Sequence, residues 1–571
     1  MEFKALLFDT RSIQRYIYSG NRLKTNIGAS YLVERVFEDV LIDKILQDIF
    51  GDEVDKDSRF SKERVDWSAI QKQCAVAYIG GGNALLLFRA DTEDGIEKKV
   101  VKAFSRELLV RCPGLHIGAA FDTLDLSSSQ SFQDGIDRLY KKLKQTQATV
   151  FPQTNVPYTG LTLSCEVNGE AANYCDTKGT IEKKGDDGPR FFSQETAMKA
   201  KAAKNANARL RMTFIDLYKD KPVAALFDRY EFPLAFDELG QKRNETRGNY
   251  YAIVHVDGNN MGEKFRKCSD MEDRRRLAMD VQNKTAESFA VLLEEILQQC
   301  ENGRFKDILD LDPREDGELA NSEPEQKRKI LPIRPLILGG DDVTFICPAK
   351  VAVSFTKRFM EILLGEIPEP YQPVSSEDAK TIDSCAGIAI LPTSYPFFRG
   401  YELAEQLCDA AKRKMRTAKE PRTAWLDFAI LHGEQAPTLE QIREREYAGE
   451  RGPMHFGPYR VGGAPSGDSA TRRHHIDLFM ECVQGLHRNA KKADGLPKSK
   501  IKDLRRILQR GKDDAVKFIA QMKLMGQNLP KIEGWDVYQS PDAAFWNETG
   551  EQAETPYVDA IEMMDFIPKE V

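Results

Sequence analysis

The chain lacks the marks of several large function classes. No run approaches the ~20 consecutive apolar residues that a membrane-spanning helix requires, and the opening "MEFKALLFDTRSIQ" has no basic stretch leading into a long apolar one. Neither secretion nor membrane insertion is expected, and the reading is a cytoplasmic protein. Basic residues are not in excess. The 82 Lys and Arg against 89 Asp and Glu leave a net charge of −7, so no global positive field advertises a nucleic-acid coat or an anionic bilayer. Neither a G-x-x-x-x-G-K-[ST] phosphate loop nor an H-E-x-x-H metal helix occurs. The ten cysteines are scattered, several inside apolar runs such as "TFICPA" and "DSCAGIAIL", which reads as free thiols in a reducing compartment rather than a disulfide framework.

What is present is globular. With 41% hydrophobic and 30% charged residues over 571 positions, the chain can fill roughly three or four domains. Hydrophobic period and breakers divide 248–432 into the strand "YYAIVHV", the turn "DGNNMG", a long helix, a charged connection "DLDPREDGELANSEPEQKRKILP", the hairpin "LILGGDDVTFI", the helix "KVAVSFTKRFMEILLGEI", the strand "SCAGIAILP" and a further helix. This β-α-β-β-α-β order is that of a ferredoxin-like α+β domain, which carries its helices on one face and leaves the other open for chemistry.

Residues 1–150 repeat the order. "KALLFDTRSIQ" answers to "YAIVHVDGNNMG", "VAYIGGGNALLLF" to "LILGGDDVTFI", "HIGAAFDTL" to "CAGIAILPT", and "GIDRLYKKLKQTQ" to "LAEQLCDAAKRKM". Aligning Gly80 on Gly339 places Gly82 and Asn83 opposite Asp341 and Asp342, so only Asp9, opposite Asp257, stays acidic in the first copy. One copy reads as metal-competent and the other as its degenerate partner. Between them, 151–247 forms an inserted small domain of helix and loop. Its Cys165 and Cys175 fall short of the four ligands in paired spacings that a closed zinc site needs, and Asn168 stands where a C-x-x-C pair would place its second cysteine. A metal-free insert is expected. Residues 433–571 read as a mainly helical C-terminal domain.

Two adjacent aspartates repel, and one tends to keep its proton; with magnesium or manganese they become hard oxygen ligands. At a hairpin apex Gly339 and Gly340 permit backbone angles and close approaches that other residues block. Asp257 ends the strand expected beside that hairpin, so Asp257, Asp341 and Asp342 form a candidate triad for one or two metal ions on a nucleoside triphosphate. The turn after Asp257, with Asn259, Asn260 and Gly262, enters a helix whose N–H groups suit phosphate. Lys412, on the helix after the last core strand, is either a phosphate contact or a solvated surface charge. Ser30 reads as a helix N-cap or a nucleotide contact. His255 is expected to be packed within its strand, and His474 and His475 to open a helix.

"FDTRSIQRYIYSGNRLKTNIGASYLVE", "GGGNALLLF", "VDGNNMGEKF", "LGGDDVTFI" and "CAGIAILPTSYPFFRGYELAEQLCDAAK" resemble the two palm (nucleotide cyclase) domains of the large polymerase-cyclase subunit of type III CRISPR effector complexes, over roughly 1–150 and 248–430. A fainter likeness, in "GLPKSKIKDLRRIL", is to that family's C-terminal helical domain. The resemblance implies a nucleotidyltransferase that joins ATP into cyclic oligoadenylate messengers in antiviral defence, with guide RNA and other effector subunits, or a homo-oligomer, as partners. It matches Asp341 and Asp342 to the metal-binding hairpin pair, Asp257 to the carboxylate ending the first strand of the active palm, and Gly28, Ala29 and Ser30 to a nucleotide-contacting turn. It also favours Lys412 as a phosphate contact. The sequence departs from the family in three places. The palm begins at residue 3, where many members carry an HD nuclease domain, so cleavage of single-stranded DNA is not expected. The cysteine-rich element is reduced to Cys165 and Cys175, and Asn259 replaces a carboxylate. A stand-alone cyclase making a cyclic mono- or dinucleotide, and a non-catalytic nucleotide- or RNA-binding scaffold, are the alternative readings.

Overall fold

The computed structural model describes residues 2–148, 158–177, 179, 181, 190–219, 221–239, 249–312, 328–365, 377–420, 422–433, 437–450, 452–463, 472–530 and 554–568. Most of the charged connection "DLDPREDGELANSEPEQKRKILP" and the loop "KKGDDG" lie outside them. Two mixed sheets with helices make an α+β protein. The first sheet holds β1 (Glu2–Arg11), β2 (Val54–Asp55), β3 (Cys74–Gly80), β4 (Asn83–Arg89) and β5 (His116–Asp125), in the order β2-β3-β4-β1-β5. Its helices are α1 (Ile13–Tyr18), α2 (Leu23–Arg35), α3 (Ile96–Arg111) and α4 (Ser129–Gln147), and the inserted segment supplies α5 (Gln194–Leu217).

The second sheet holds β6 (Tyr250–Gly258), β7 (Arg334–Gly339), β8 (Asp342–Pro348), β9 (Ser384–Pro392), β10 (Ala424–Ile430) and β11 (Tyr459–Val461), ordered β7-β8-β6-β9-β10-β11. Its last strand comes from beyond residue 432. The accompanying helices are α6 (Met261–Lys267), α7 (Met271–Glu301), α8 (Ala352–Leu364) and α9 (Phe397–Ala418), followed by α10 (Ile476–Asn489), α11 (Lys498–Arg510), α12 (Lys512–Leu524) and α13 (Tyr557–Met563).

The expectation of one open face is corrected. Side chains alternate along a strand, yet in β1 both sets are buried: Leu6 and Phe8 lie under α2 and α3, while Ala5 and Leu7 lie under α4. The second sheet repeats this, with Phe345 packed on Phe289 of α7 at 5.9 Å and on Phe359 of α8 at 6.3 Å. On its other face Tyr401 of α9 meets His255 edge-on at 5.5 Å. The helix after the last strand of each βαββαβ unit folds back over the face that would otherwise be bare, because its own apolar stripe needs burial. What the two covered faces leave accessible is the end of the sheet, where β6 stops and the β7–β8 hairpin turns.

A second correction concerns Ser30. It lies inside α2, and Arg22 occupies the N-cap without a side-chain capping bond. The Ser30 hydroxyl instead donates to the Leu336 carbonyl of β7. The two palms thus clasp each other. From the first, Ser30 reaches the second hairpin, and Tyr18 packs on Tyr401 at 4.3 Å and Phe397 at 5.1 Å. From the second, Arg274 of α7 donates to the Tyr140 hydroxyl at 2.7 Å, and Arg275 donates to the carbonyls of Arg59 and Ser61 at 3.0 and 2.9 Å.

Candidate functional site

The hairpin turns of the two palms differ in one backbone angle. In the first, Gly80 pairs with Asn83 and both turn residues, Gly81 and Gly82, have positive φ (58° and 78°), as a type I′ turn demands. In the second, Gly339 pairs with Asp342 and only Gly340 is left-handed, at 65°. A turn with positive φ at its first position alone leaves the second open to an ordinary residue, and Asp341 takes it.

Register brings the acids together. Asp342 is the direct cross-strand partner of Asp257, so the two side chains share a face. The Gly258 N–H donates to the Asp341 carbonyl at 3.0 Å, and a Cβ on Gly258 would stand 2.8 Å from that of Asp341. The absent side chain after Asp257 is what lets the turn residue close in. Thr285 of α7 fixes the apex from behind, its hydroxyl donating to the Gly340 carbonyl at 2.6 Å.

Each acid already has a neighbour. Lys412 of α9 forms an ion pair with Asp257. Burial works against its ammonium, but Asp257 outweighs that, and the Lys412 pKa rises. Asp342 Oδ1 is buried without a hydrogen-bond donor, apart from the 3.4 Å approach of His255 Nδ1. Burial, followed by the charges of Asp257 and Asp342, pushes the Asp341 carboxyl up to about 7, against a smaller pull from Lys412. In His255 burial opposes the imidazolium, yet the hydrogen bond and charge of Asp342, with Asp257 and Glu405 behind them, raise its pKa.

Among the described residues no group of three or more His, Cys, Asp or Glu side chains is placed to hold a metal ion as the side chains stand. The acids are gathered at one sheet end, with two of them engaged by Lys412 and His255. The donor set still fits a hard divalent cation: three carboxylates at one sheet end, of which Asp341 is pushed up to about 7 by burial and by its two acidic neighbours.

The remaining sequence candidates separate. Gly339 and Gly340 form the hairpin. Asn259 donates its N–H to the Asp383 carbonyl at 2.7 Å, Asn260 is exposed in a left-handed conformation before α6, and Gly262 faces open space. Gly28 and Ala29 are buried. A Cβ on Gly28 would lie 1.7 Å from the Lys199 carbonyl of α5, so Gly28 serves the α2–α5 contact, while the Ser30 hydroxyl reaches Leu336 on the strand leading into the hairpin. Cys165 is buried and Cys175 exposed, while Asn168 accepts from the Ser193 hydroxyl at 3.1 Å. The contact of His255 with Asp342 was missed at the sequence level. The signal was its place two residues before Asp257, which puts both on one face of β6. His475 caps α10, its Nδ1 accepting from the Asp477 N–H at 3.2 Å.

A second titratable cluster is closed. Asp427 is held by Arg443 and by His455 at 2.9 Å, and Asp559 accepts from the Tyr459 hydroxyl at 2.7 Å and the Phe456 and Gly457 N–H groups at 3.1 and 3.2 Å. Both acids are buried, and although Asp559 Oδ1 has no hydrogen-bond partner its Oδ2 accepts three bonds, which marks a structural knot tying the C-terminal helices to β10.

Comparison with known proteins bears on the fold that carries these residues. Residues 250–419 match the family model for the second palm domain of Cas10/Cmr2. Among solved structures, the apo Csm1-Csm4 cassette matches at 13% identity and a TM-score of 0.51, covering 99% of this chain and 70% of the other. The cassette in complex with cA4 matches at 13% identity and a TM-score of 0.47, over 99% and 70% of the two chains. Csm1 of T. onnurineus matches at 13% identity and a TM-score of 0.45, over 99% and 69%. No curated protein matches. The match to the apo cassette extends the shared fold beyond the second palm. Among the described residues no helix is long and apolar enough to cross a membrane.

Proposed function

From a Cas10-like chain, whose residues 250–419 match the Cas10/Cmr2 second palm and whose overall fold is that of the apo Csm1-Csm4 cassette, we propose a magnesium- or manganese-dependent nucleotidyltransferase that joins ATP into cyclic oligoadenylates in type III CRISPR defence. The observation that carries it is the cross-strand pair Asp257 and Asp342 with Asp341 in the adjoining turn, set in one palm and missing from an otherwise matching hairpin. A scaffold gains nothing from clustered carboxylates that cost free energy when unpaired.

Asp257, Asp341 and Asp342 would hold the ion, which when bound lowers the pKa of an attacking hydroxyl and neutralises charge on the leaving pyrophosphate. Lys412 would exchange Asp257 for a triphosphate oxygen, giving the nucleotide a point charge and freeing the carboxylate at the same moment. Asn259, Asn260 and Gly262 would border the phosphates beside α6, and Gly339 with Gly340 would allow them to approach the hairpin backbone. Guide RNA and other effector subunits, or further copies of the chain, are the proposed partners.

The test is incubation of the purified chain with ATP and magnesium or manganese, with and without target RNA and effector subunits, and mass spectrometry of the products. Cyclic oligoadenylates are expected. A cyclic mono- or dinucleotide would redirect the reading to a stand-alone cyclase, and unconsumed ATP under every condition would leave a nucleotide-binding scaffold.

A further inference from the structure

His255 has a position that the proposed chemistry does not use directly. It sits mid-strand in β6, 6% exposed, on the same face as Asp257. Its Nδ1 lies 3.4 Å from Asp342 Oδ1 and 3.5 Å from the Thr344 hydroxyl, both on β8. The imidazole cannot drift, because Tyr401 of α9 meets it edge-on at 5.5 Å and Tyr18 of the first palm packs on Tyr401 at 4.3 Å. Both tyrosines are almost fully buried, at 1% and 0%. An unbroken line of packed rings therefore runs from the first palm to an oxygen of the second palm's hairpin acid.

We propose that His255 is a positioning residue for Asp342: its ring nitrogen holds one carboxylate oxygen inside the sheet end, so that the other stays turned toward the ion shared with Asp257 and Asp341. This rests on the metal-dependent reading above. Partners behind a ligating carboxylate are commonly worth about 10–100-fold in metal affinity, because a carboxylate free to rotate must be ordered again at each binding event. The ring line gives the arrangement a consequence. The orientation of Asp342 depends on the two palms being docked, through Tyr18.

The test is manganese binding to the full-length protein with ATP present, followed by electron paramagnetic resonance, for His255→Leu and His255→Asn. The Asn amide N–H can stand where Nδ1 stands, whereas Leu fills the space without a donor. His255→Leu is expected to weaken manganese binding about 10–100-fold, with kcat falling alongside and KM for ATP little changed, while His255→Asn keeps most of both. In an Asp342→Asn background, His255→Leu should cost nothing further, since the group it positions is gone. Tyr18→Ala, which leaves every residue of the second palm in place, should reproduce part of the loss and covers the case in which His255→Leu does not fold. Equal losses for Leu and Asn, an undiminished loss on Asp342→Asn, or normal binding by Tyr18→Ala would each overturn the assignment. If the unaltered protein binds manganese but makes no product, the proposed function fails while the role of His255 is still read from binding. If it binds no manganese, both fail.

Discussion

The two palms follow the same plan until the hairpin, and there they exchange one side chain. Asp9 faces Asn83 in the first as Asp257 faces Asp342 in the second. The next residue, Thr10 or Gly258, donates its N–H to the carbonyl of the turn residue Gly82 or Asp341, at 2.9 and 3.0 Å. In the first palm the strand keeps a side chain and the turn has none; in the second the turn keeps one and the strand has none. In the second palm the two facing positions cannot both carry a Cβ, since one on Gly258 would stand 2.8 Å from that of Asp341, whereas in the first a Cβ on Gly82 would lie 3.6 Å from that of Thr10 and meet Ile13 Cδ1 at 2.6 Å. The glycine after Asp257 is thus what makes room for Asp341. Even the helix reaching back to the strand acid is exchanged in character: Gln147 hydrogen-bonds Asp9, while Lys412 forms an ion pair with Asp257.

Removing the difference altogether has the largest expected effect. Asp341→Ala with Asp342→Ala makes the second hairpin resemble the first and should lower product formation by on the order of 10²–10³-fold or more, with the thermal midpoint unchanged or raised, since repulsion is relieved. Turnover that survives the double change would sink the metal site. Grafting in the other direction should fail. Gly82→Asp places a side chain at φ 78°, with its Cβ 2.6 Å from Ile13 Cδ1, and is expected to cost at least about 1–2 kcal/mol, read as a lower melting temperature without new activity.

Gly258→Ala tests the exchange itself. Its Cβ would meet that of Asp341 at 2.8 Å, so the turn must retreat, and product formation should fall about 10–100-fold, as for other small misplacements of reacting groups. Thr10→Gly, the matching change in the first palm, should leave turnover unaltered. Equal effects from the two would remove the distinction between the hairpins.

The next effect is electrostatic. Lys412→Met removes the cation from Asp257 and should weaken ATP binding roughly tenfold, as for one charge-assisted contact, while manganese binds more tightly in the absence of nucleotide. The sign with pH follows from Asp341, whose carboxyl is pushed up to about 7 by burial and by Asp257 and Asp342. An ion must displace that proton, so metal affinity should rise with pH to about 7 and level off above it, falling roughly tenfold per unit below. In the metal-free protein the same raised pKa favours the fold at low pH, and that contribution is lost as pH rises through 7. Calorimetric titration from pH 5.5 to 8.5 reads the first, and thermal melts with chelator read the second.

Much of this arrangement was legible in sequence because it is local. The strand order, the repeat and the facing of Asp257 with the hairpin follow from period-two alternation and from the spacing of glycines around "GGDD". What was not legible depends on segments far apart in the chain. The amphipathic stripe of α9 was visible, but not that it would close the face expected to stay open. Gly28 was matched to a nucleotide-contacting turn, and its reason for lacking a side chain, the Lys199 carbonyl, lies far off in the inserted segment. Ser30 looked like a cap because nothing in its neighbours names Leu336 as its acceptor. His255 was correctly expected to be packed, but its contact with Asp342 is set by strand register, which the chain fixes only on folding.

The smallest expected effect concerns how the two palms hold together. Ser30→Ala removes one hydroxyl from a carbonyl across the interface and should cost about 1 kcal/mol, seen as a modest loss in melting temperature. If the interface only glues the domains, turnover per folded molecule stays constant. Leu336, however, lies three residues before Gly339 on the strand leading into the turn, and Thr285 holds the apex from the other side. A hairpin gripped at both points is stiffer than one gripped at the apex alone, so Ser30→Ala should also raise hydrogen exchange at Gly340 and Asp341 while leaving the turn at Gly81 and Gly82 unchanged. Exchange that rises equally in both turns would mean that the clasp steadies the whole molecule, and that the second hairpin owes nothing particular to the first palm.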